Sequence, residues 1–425
     1  MNKKKVLIIT YYWPPAGGPG VQRWLKFVKY LPDFNIEPIV YCPENPNYPL
    51  VDRSLVADVA KDLTIVKQPI KEPYKVASIL SKKSKTISKG IIPSEKKQNI
   101  VEKAMLYIRG NFFIPDARKN WVKPSVEFLQ NYIKANAIET IITTGPPHSL
   151  HLIGLQLQQK HKVKWISDFR DPWTTIGYHK QLRLTKASKA KHKALEHEVL
   201  NSADEIIVTS SNTKLEFQDI TTKPISVITN GYDEEKVNIK ELDVQFSISH
   251  IGSLLSKRNP EVLWKVLKTL VDEEKGFAED LEINFVGAVS DSILKTVASY
   301  KLDAYVKNRG YVSHEEAIVY QKKSQILLLI EIDSDDTKSI IPGKLFEYMV
   351  SQRPIVALGP KESDVETIIN KTKTGHYFKY NNYEELKTVL KKYYLDYKKN
   401  NLKTEPTNLQ IYSRKNLTET LSKLI

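Results

Sequence analysis

Residues 324–359 read SQILLLIEIDSDDTKSIIPGKLFEYMVSQRPIVALG, and this stretch decides the fold of the chain. The unbroken apolar run at 326–330 has the composition of a strand buried on both faces. Gly343 and Lys344 open a predicted helix with its apolar residues on one side, and Pro354 ends it. A further strand is predicted at 355–358. Strand, loop, helix and strand in this order predict part of a parallel sheet, which binds ligands at the carboxyl ends of its strands.

The turn into that helix is a candidate phosphate site. A helix N-terminus presents unpaired N–H groups, Gly343 permits close approach, and Lys344 adds a full positive charge. Glu347 follows about one turn later, where its carboxylate can accept hydrogen bonds from the diol of a ribose. An ordinary amphipathic helix with a solvated Lys and Glu is the alternative interpretation.

Length and composition predict two domains in a reducing compartment. The chain has 425 residues, more than one core usually serves, and 41% of them are apolar, enough to fill two cores. The single cysteine, Cys42, excludes an intramolecular disulfide. The apolar run at 6–13 is short and leads into two prolines, so we expect a first strand rather than a signal peptide. No apolar run approaches the ~18 residues of a membrane span, and we expect a cytoplasmic protein.

The net charge of +15 is unevenly distributed. Residues 71–123 hold 13 Lys or Arg against 4 Asp or Glu, interleaved with apolar residues. This basic segment suggests an anionic partner, and the apolar residues favour a membrane surface. A solvated basic surface over ordinary core helices is the alternative.

The first half of the chain predicts a Rossmann-like domain. A strand at 5–12 leads into a turn containing Gly17, Gly18 and Gly20, and a helix follows. Such glycines let the backbone approach a phosphate or sugar. The spacing is not that of the dinucleotide fingerprint, and the second strand does not end in an acidic residue, which argues against a nicotinamide cofactor.

Polar residues cluster after two later strands of this half. His148 opens the helix that follows the strand at 140–144, and the helix start favours its neutral imidazole. Asp168, Arg170 and Asp171 come directly after the strand at 164–167, where an α/β domain keeps its working groups. A structural ion-pair cluster is the alternative for these three charged residues.

The second half repeats the pattern from residue 246. The strand at 246–251 runs into a turn with Gly252, Ser253, Lys257 and Arg258. Because Lys257, Arg258 and Lys344 follow different strands of one predicted sheet, they can converge on a single diphosphate. We place an N-terminal domain at 1–225 and a C-terminal domain at 226–408, with a helix at 409–425 that could pack back onto the first domain.

Seven stretches in order resemble glycosyltransferases of the two-domain GT-B type, most closely the retaining enzymes of family 4. They are YYWPPAGGPGVQR at 11–23, TGPPHS at 144–149, SDFRDPW at 167–173, SADEIIVTS at 202–210, ITNGYD at 228–233, HIGSLLSKRNP at 250–260 and PGKLFEYMVSQRPIVALG at 342–359. The resemblance covers nearly the whole chain. It implies an α/β protein with two Rossmann-like domains whose parallel sheets face each other across a cleft.

The resemblance also implies roles for residues. Donor binding falls on the C-terminal domain, at Gly252, Ser253, Lys257, Arg258, Tyr311, Val312, Gly343, Lys344, Leu345 and Glu347. The candidate catalytic residues are Asp168, His148, Lys257 and Arg258. The candidate acceptor-binding residues are Gly17, Gly18, Gly20, Arg170 and Asp171. Family members usually carry a second glutamate eight positions before Glu347, where this chain has Ser339. Many also have a histidine where this chain has Asp168.

We therefore expect a hexosyltransferase-like enzyme that moves a sugar with retention from a nucleotide-diphosphate sugar to a lipid-linked or cell-surface glycan. The resemblance implies that it needs no metal or cofactor. Its expected place is the cytoplasm, peripherally on the inner face of the membrane. A nucleotide-sugar 2-epimerase and a non-catalytic sugar-nucleotide or glycan-binding protein are the alternatives. Nucleic acid is not an expected partner, because the sequence carries no recognised binding module.

Overall fold

The computed structural model describes residues 3–72, 100–177, 179–233 and 241–425. The chain divides into two compact units. Unit 1 comprises residues 1–230 and 414–425, and unit 2 comprises residues 231–413. The chain thus returns to its first unit at its C-terminal end.

Unit 1 is built on a seven-stranded parallel sheet in the order β3-β2-β1-β4-β5-β6-β7. Its strands are β1 Lys4–Ile9, β2 Ile36–Pro43, β3 Thr64–Gln68, β4 Thr140–Gly145, β5 Lys164–Phe169, β6 Glu205–Val208 and β7 Ile225–Val227. The central strands β1, β4 and β5 are almost fully buried because helices cover both faces of the sheet.

The helices of unit 1 form the two outer layers. They are α1 Pro19–Tyr30, α2 Ile100–Phe112, α3 Val122–Ala135, α4 Ser149–Lys160, α5 Lys186–Ser202, α6 Ser211–Gln218 and the C-terminal α14 Arg414–Ser422. Alternate residues of β1 point into different cores: Leu7 and Ile9 into one, Val6 and Ile8 into the other. The second of these cores also contains residues of α1 and α14.

Unit 2 has a six-stranded parallel sheet in the order β10-β9-β8-β11-β12-β13. Its strands are β8 Phe246–Ile251, β9 Leu281–Val286, β10 Val306–Gly310, β11 Ile326–Ile330, β12 Ile355–Gly359 and β13 Gly375–Lys379. Every residue of β11 is buried, as expected for a central strand with helices on both sides. The carboxyl ends of all six strands lie at one edge of the sheet, hereafter the carboxyl edge.

Seven α-helices accompany this sheet in the described part of unit 2. They are α7 Glu261–Glu273, α8 Phe277–Asp280, α9 Asp291–Ser299, α10 His314–Lys323, α11 Lys344–Val350, α12 Asp364–Thr372 and α13 Tyr383–Lys398. A complete capping box of Ser313 and Glu316 opens α10.

The prediction of two Rossmann-like parallel-sheet domains is confirmed. Some local predictions were wrong. The strand expected to stop before Asp168 continues through it, because the pairing of β5 with β4 and β6 extends to Phe169. Helix α5 begins at Lys186 and is capped by the side chain of Thr185. Strand β3 and helices α3, α6 and α9 were not predicted.

Much of the basic segment, residues 73–99, lies outside the described residues. Within the described part of the chain, no helix is long and apolar enough to cross a membrane.

Candidate functional site

The turn after β8 brings the backbone of unit 2 close to a lysine. Gly252 has a φ of 108°, which disfavours any residue with a side chain. A Cβ atom placed on Gly252 would lie 2.8 Å from Nζ of Lys344. The glycine therefore allows the Lys344 ammonium group to lie directly against the end of β8.

The ammonium group of Lys344 also contacts the imidazole ring of His250. Its Nδ1 lies 3.0 Å from the backbone oxygen of Leu328, and because a carbonyl can only accept, Nδ1 carries the proton. Nε2 is then free to accept a hydrogen bond from Nζ of Lys344, at 3.4 Å. Burial holds the pKa of His250 well below its usual range, and the charge of Lys344 lowers it further.

Arg258 is the second cation of this group. Burial lowers the pKa of Lys344 to about 7, and the positive charge of Arg258 adds to the shift. Neither residue forms an ion pair within the described part of the chain, and Nε of Arg258 is buried there with no hydrogen-bond partner. Two nearby cations repel each other, so an anion bound between them would be stabilised by both.

Glu347 lies one turn along α11 from Lys344. One of its carboxylate oxygens accepts a hydrogen bond of 2.8 Å from the side chain of Gln321, which holds it in place. The other oxygen remains available for a ligand hydroxyl. The helix itself has only seven residues, and its second amide, that of Leu345, already donates to Pro342. The charge of Lys344 therefore matters more here than the helix dipole.

The remaining donor-binding candidates lie along the same edge but differ in exposure. Ser253 and Lys257 are exposed, and Tyr311, directly after β10, is 94% exposed. Val312 and Leu345 pack into the core of unit 2. Gly343 precedes α11 in helical geometry. The structure places Lys344 against Gly252 and within reach of the Arg258 charge, and donor binding by all these candidates stays a prediction.

Glu331 is a buried acid that sequence reasoning missed. It follows β11, its side chain accepts hydrogen bonds of 3.1 Å from Ser363, and its Oε2 lies 2.8 Å from the hydroxyl of Tyr377. Burial raises its pKa to about 8, against the lowering effect of these bonds and of the Arg258 charge. An acidic residue directly after an apolar strand was the signal that singled out Asp168, and it would have found Glu331 as well.

Asp168 in unit 1 is fully buried and fully bonded. Its carboxylate accepts hydrogen bonds from Arg23 at 2.9 Å, from the indole of Trp24 at 2.8 Å and from Thr144 at 2.8 Å. Burial alone would raise its pKa, but Arg23, Thr144 and the charge of Arg170 together outweigh burial and the pKa is lowered. The ion pair of Asp168 is with Arg23, and a catalytic role for Asp168 stays a prediction.

His148 and Arg170 lie near the glycine turn of unit 1. A Cβ atom on Gly20 would collide with Nη1 of Arg170, whose Nη2 donates to the carbonyl of Pro146. His148 stacks on Trp173 with ring centroids 5.0 Å apart, and neither of its ring nitrogens has a hydrogen-bond partner among the described residues. Burial, more than the helix start, holds the pKa of His148 well below its usual range. This direction agrees with the neutral imidazole expected from the sequence.

The other candidate acceptor-binding residues are Gly17, Gly18 and Asp171. Gly17 donates its N–H to the carbonyl of Leu50, and Gly18 precedes α1 with a φ of 101°. Asp171 is half-buried, and burial raises its pKa. Acceptor binding by these residues stays a prediction. Within the described residues, no group of His, Cys, Asp and Glu side chains could hold a metal ion.

Comparisons with known proteins place this architecture in one fold class. No protein-family model and no curated protein matches the sequence. TarM is 13% identical with a TM-score of 0.60, and the match covers 99% of this chain and 98% of TarM. Sucrose-phosphate synthase from Thermosynechococcus elongatus is 12% identical with a TM-score of 0.59, at the same coverage. The lipopolysaccharide outer core galactosyltransferase WaaB is 14% identical with a TM-score of 0.58, also at this coverage.

The fold is therefore that of the GT-B glycosyltransferases. The same fold also occurs with another described activity. A protein from Listeria monocytogenes described as a putative UDP-N-acetylglucosamine 2-epimerase is 11% identical with a TM-score of 0.51, over 99% of this chain and 95% of that one. At these identities the similarity establishes the fold, and activity has to be argued from the site.

Proposed function

We propose that this protein is a glycosyltransferase whose nucleotide-diphosphate-sugar donor binds at the carboxyl edge of the unit 2 sheet. The observation that carries the proposal is the Lys344 ammonium group beside Gly252, with the positive charge of Arg258 acting on it and no ion pair for either cation among the described residues. A diphosphate supplies the missing negative charge. The solved complex of a TarM mutant with UDP and α-GlcNAc-glycerol is consistent with such a donor in this fold.

The chemistry follows from this charge. When the acceptor hydroxyl bonds to the anomeric carbon, the bond from that carbon to the diphosphate oxygen breaks and negative charge grows on the leaving diphosphate. Lys344 and Arg258 stabilise that charge, and Glu347 holds the ribose. We propose that the acceptor proton passes to the leaving phosphate, that the sugar keeps its anomeric configuration, and that neither metal nor cofactor takes part.

The proposed acceptor is a lipid-linked or cell-surface glycan bound by unit 1 around Gly17, Gly18, Gly20, Arg170 and Asp171. WaaB, which shares the fold, is described as acting on the outer core of lipopolysaccharide. We propose that transfer takes place in the cytoplasm at the inner face of the membrane, and that the sugar is a hexose. The single cysteine suits a reducing compartment.

Donor binding is tested by calorimetric titration with UDP, GDP and ADP. We expect one of them to bind, and Lys344→Met to weaken that binding by about tenfold or more, since a charge-assisted bond is lost. Lys371→Met, which removes an exposed lysine from α12, is the matched control and leaves binding unchanged. Failure of every diphosphate to bind would contradict the proposal.

Turnover is tested by the release of nucleoside diphosphate from a panel of sugar nucleotides in the presence of membrane extract. Release that depends on the extract supports transfer to an acceptor. A new sugar nucleotide formed from the donor alone would instead support the 2-epimerase, which the Listeria structure makes a second candidate.

A non-catalytic donor-binding protein is the third candidate, because Ser339 stands where related enzymes have a glutamate. Tight donor binding without turnover in the extract assay selects this reading. If Ser339→Glu then gained turnover, the missing carboxylate would be the cause.

A further inference from the structure

Helix α2 of unit 1 presents an apolar face outward. Leu106 and Gly110 are buried, whereas Tyr107, Ile108 and Phe112 are 43%, 48% and 63% exposed. These three residues lie on one side of the helix, because Ile108 and Phe112 are four residues apart and Tyr107 is next to Ile108. A surface helix of a globular protein normally turns its polar side outward. The outward side of α2 therefore suits an apolar contact.

The end of α2 is held against the segment that opens α5. A Cβ atom on Gly110 would lie 2.6 Å from the carbonyl oxygen of Leu182, so helix and segment are in close contact. The side chain of Asn111 donates to the carbonyl of Arg183 at 3.2 Å and accepts from the amide of Thr185 at 2.8 Å. The exposed apolar side chains of α2 are thus fixed next to the N-terminal turns of α5.

Those turns carry only positive charge. Residues 180–193 contain six Lys or Arg and no Asp or Glu. Lys186, Lys189 and Lys193 are exposed, and their spacing places them on one side of α5. Arg183, just before the helix, is exposed as well. A further cation, Lys119, donates to the carbonyl of Phe112 at 2.6 Å.

We propose that this combined area, the α2–α5 surface, binds an anionic lipid bilayer. It consists of Tyr107, Ile108, Phe112, Arg183, Lys186, Lys189 and Lys193. Apolar and aromatic side chains enter the boundary between head groups and acyl chains, and adjacent lysines pair with the anionic head groups. A soluble polyanion would use the lysines alone and would leave the apolar side chains exposed. The presence of both kinds of side chain selects the bilayer.

The test is sedimentation of the full-length protein with vesicles of phosphatidylcholine alone, or of phosphatidylcholine and phosphatidylglycerol in equal parts. We expect binding to the mixed vesicles only, reduced at high salt. The triple variant Lys186→Glu/Lys189→Glu/Lys193→Glu should weaken binding on the order of 100-fold. Phe112→Ser, at one apolar position, should weaken it roughly tenfold.

Matched control variants distinguish binding by this surface from a general effect of net charge or of exposed apolar side chains. Lys371→Glu/Lys392→Glu/Lys399→Glu changes the net charge equally on exposed lysines of unit 2, and Leu215→Ser removes another exposed apolar side chain of unit 1. Both should bind vesicles as the wild type does. Circular dichroism confirms that each variant is folded.

Three outcomes would overturn the proposal. One is equal loss of binding in the control variants. A second is a preference for random duplex DNA over mixed vesicles, with the same lysines required. The third is a concentration-dependent dimer, seen by sedimentation velocity, that Phe112→Ser abolishes while vesicle binding is unchanged. No sugar nucleotide is present in these assays, so their failure leaves the proposed transferase function standing.

Discussion

Glu331 occupies a position in which its carboxyl group is best protonated. The phenol of Tyr377 lies 2.8 Å from Oε2 of Glu331 and 2.8 Å from the carbonyl oxygen of Pro360. A phenol has one proton and cannot donate it to both. If the proton goes to Pro360, a protonated Glu331 can donate to the phenol oxygen in turn, so both contacts are satisfied. The pKa of about 8 agrees with this geometry.

The first prediction concerns Glu331→Gln. Burial raises the pKa of Glu331 in the folded state to about 8, above the roughly 4.3 expected when unfolded. Between these values only the folded state keeps the proton, so wild-type stability falls as pH rises through this interval and is level above it. Glutamine has no proton to lose. The variant should gain about 4 kcal/mol relative to wild type between pH 5 and pH 8, at roughly 1.4 kcal/mol per pH unit.

Urea unfolding at a series of pH values measures this difference. Glu384→Gln, at an exposed position of α13, is the control and should follow the wild-type pH dependence. A constant difference between Glu331→Gln and wild type across the range would show that Glu331 is ionised when folded.

The second prediction concerns Lys344. Burial lowers the pKa of its ammonium group to about 7, whereas a bound diphosphate favours the charged form. Donor binding should therefore take up a proton above pH 7, and affinity should fall by up to about tenfold per pH unit. Above that pH the diphosphate itself is fully ionised, because its last pKa is near 6. Calorimetry in buffers of different ionisation enthalpy measures the proton uptake.

The variant Lys344→Arg tests whether protonation of Lys344 causes the pH dependence of donor affinity. Arginine stays protonated at every pH used, so binding that remains in this variant should not depend on pH between about 7 and 9. Affinity of the wild type that is constant over the same interval would mean that Lys344 is already charged in the free protein.

At the scale of elements, the turn after β8 sets where Lys344 can lie. Gly252 and Gly287 both have positive φ, and a Cβ atom on Gly287 would lie 2.6 Å from the backbone oxygen of Gly252. The two turns at the carboxyl edge therefore support each other through backbone contact. Of these two glycines, Gly252 is the one that also lies next to Nζ of Lys344.

The third prediction compares glycine substitutions. Gly252→Ala should cost about 1–3 kcal/mol in backbone strain and weaken diphosphate binding at least tenfold, since the new methyl group displaces the ammonium group. Gly276→Ala is the matched control in unit 2, with a φ of 82° and a Cβ position 2.9 Å from the hydroxyl of Tyr394. It should lose similar stability but bind normally.

Gly287→Ala should be the least stable of the three, because its methyl group meets backbone that cannot rotate away. Thermal unfolding and calorimetric titration give both quantities for each variant. Equal loss of binding in Gly252→Ala and Gly276→Ala would show that the effect follows stability and not the position of Lys344.

At the scale of the whole molecule, the last residues belong to the first unit. Leu417, Leu421 and Ile425 are buried in the core that contains Trp24 and Val28 of α1. The carbonyl of Ile425 accepts hydrogen bonds from the side chains of Lys4 and Thr140. Helix α14 therefore completes the hydrophobic layer on one face of the unit 1 sheet.

The fourth prediction is that removal of residues 414–425 destabilises unit 1 selectively. Each buried aliphatic side chain contributes roughly 1.5–3 kcal/mol, so the loss should reach several kcal/mol. Hydrogen exchange should show faster opening in β1 and β4, with β8 and β11 unchanged. Leu421→Ala should reproduce part of the effect, about 2–5 kcal/mol, and Leu395→Ala on α13, an exposed position, should have little. Equal acceleration in both units would contradict this assignment.

Much of the second sheet could be predicted because its signals are local. The strand 246–251, the strand 281–286 and the apolar run 326–330 match β8, β9 and β11, since uninterrupted apolar runs report burial on both faces. Strand β3 was missed because it is a half-exposed edge strand with no such run. Helix α6 is short, and little in its sequence distinguishes it from a polar loop.

The sequence by itself determined two parallel α/β units, the glycine turns and the cations near them, because strand composition, caps and turns depend on neighbouring residues. Only the tertiary structure decided which charges meet. Asp168 is bound by Arg23 and Trp24, Lys344 lies against His250, and Glu331 is enclosed by Ser363 and Tyr377. These partners are far apart in sequence, and their protonation depends on burial and on distances of a few ångströms, which no local pattern specifies.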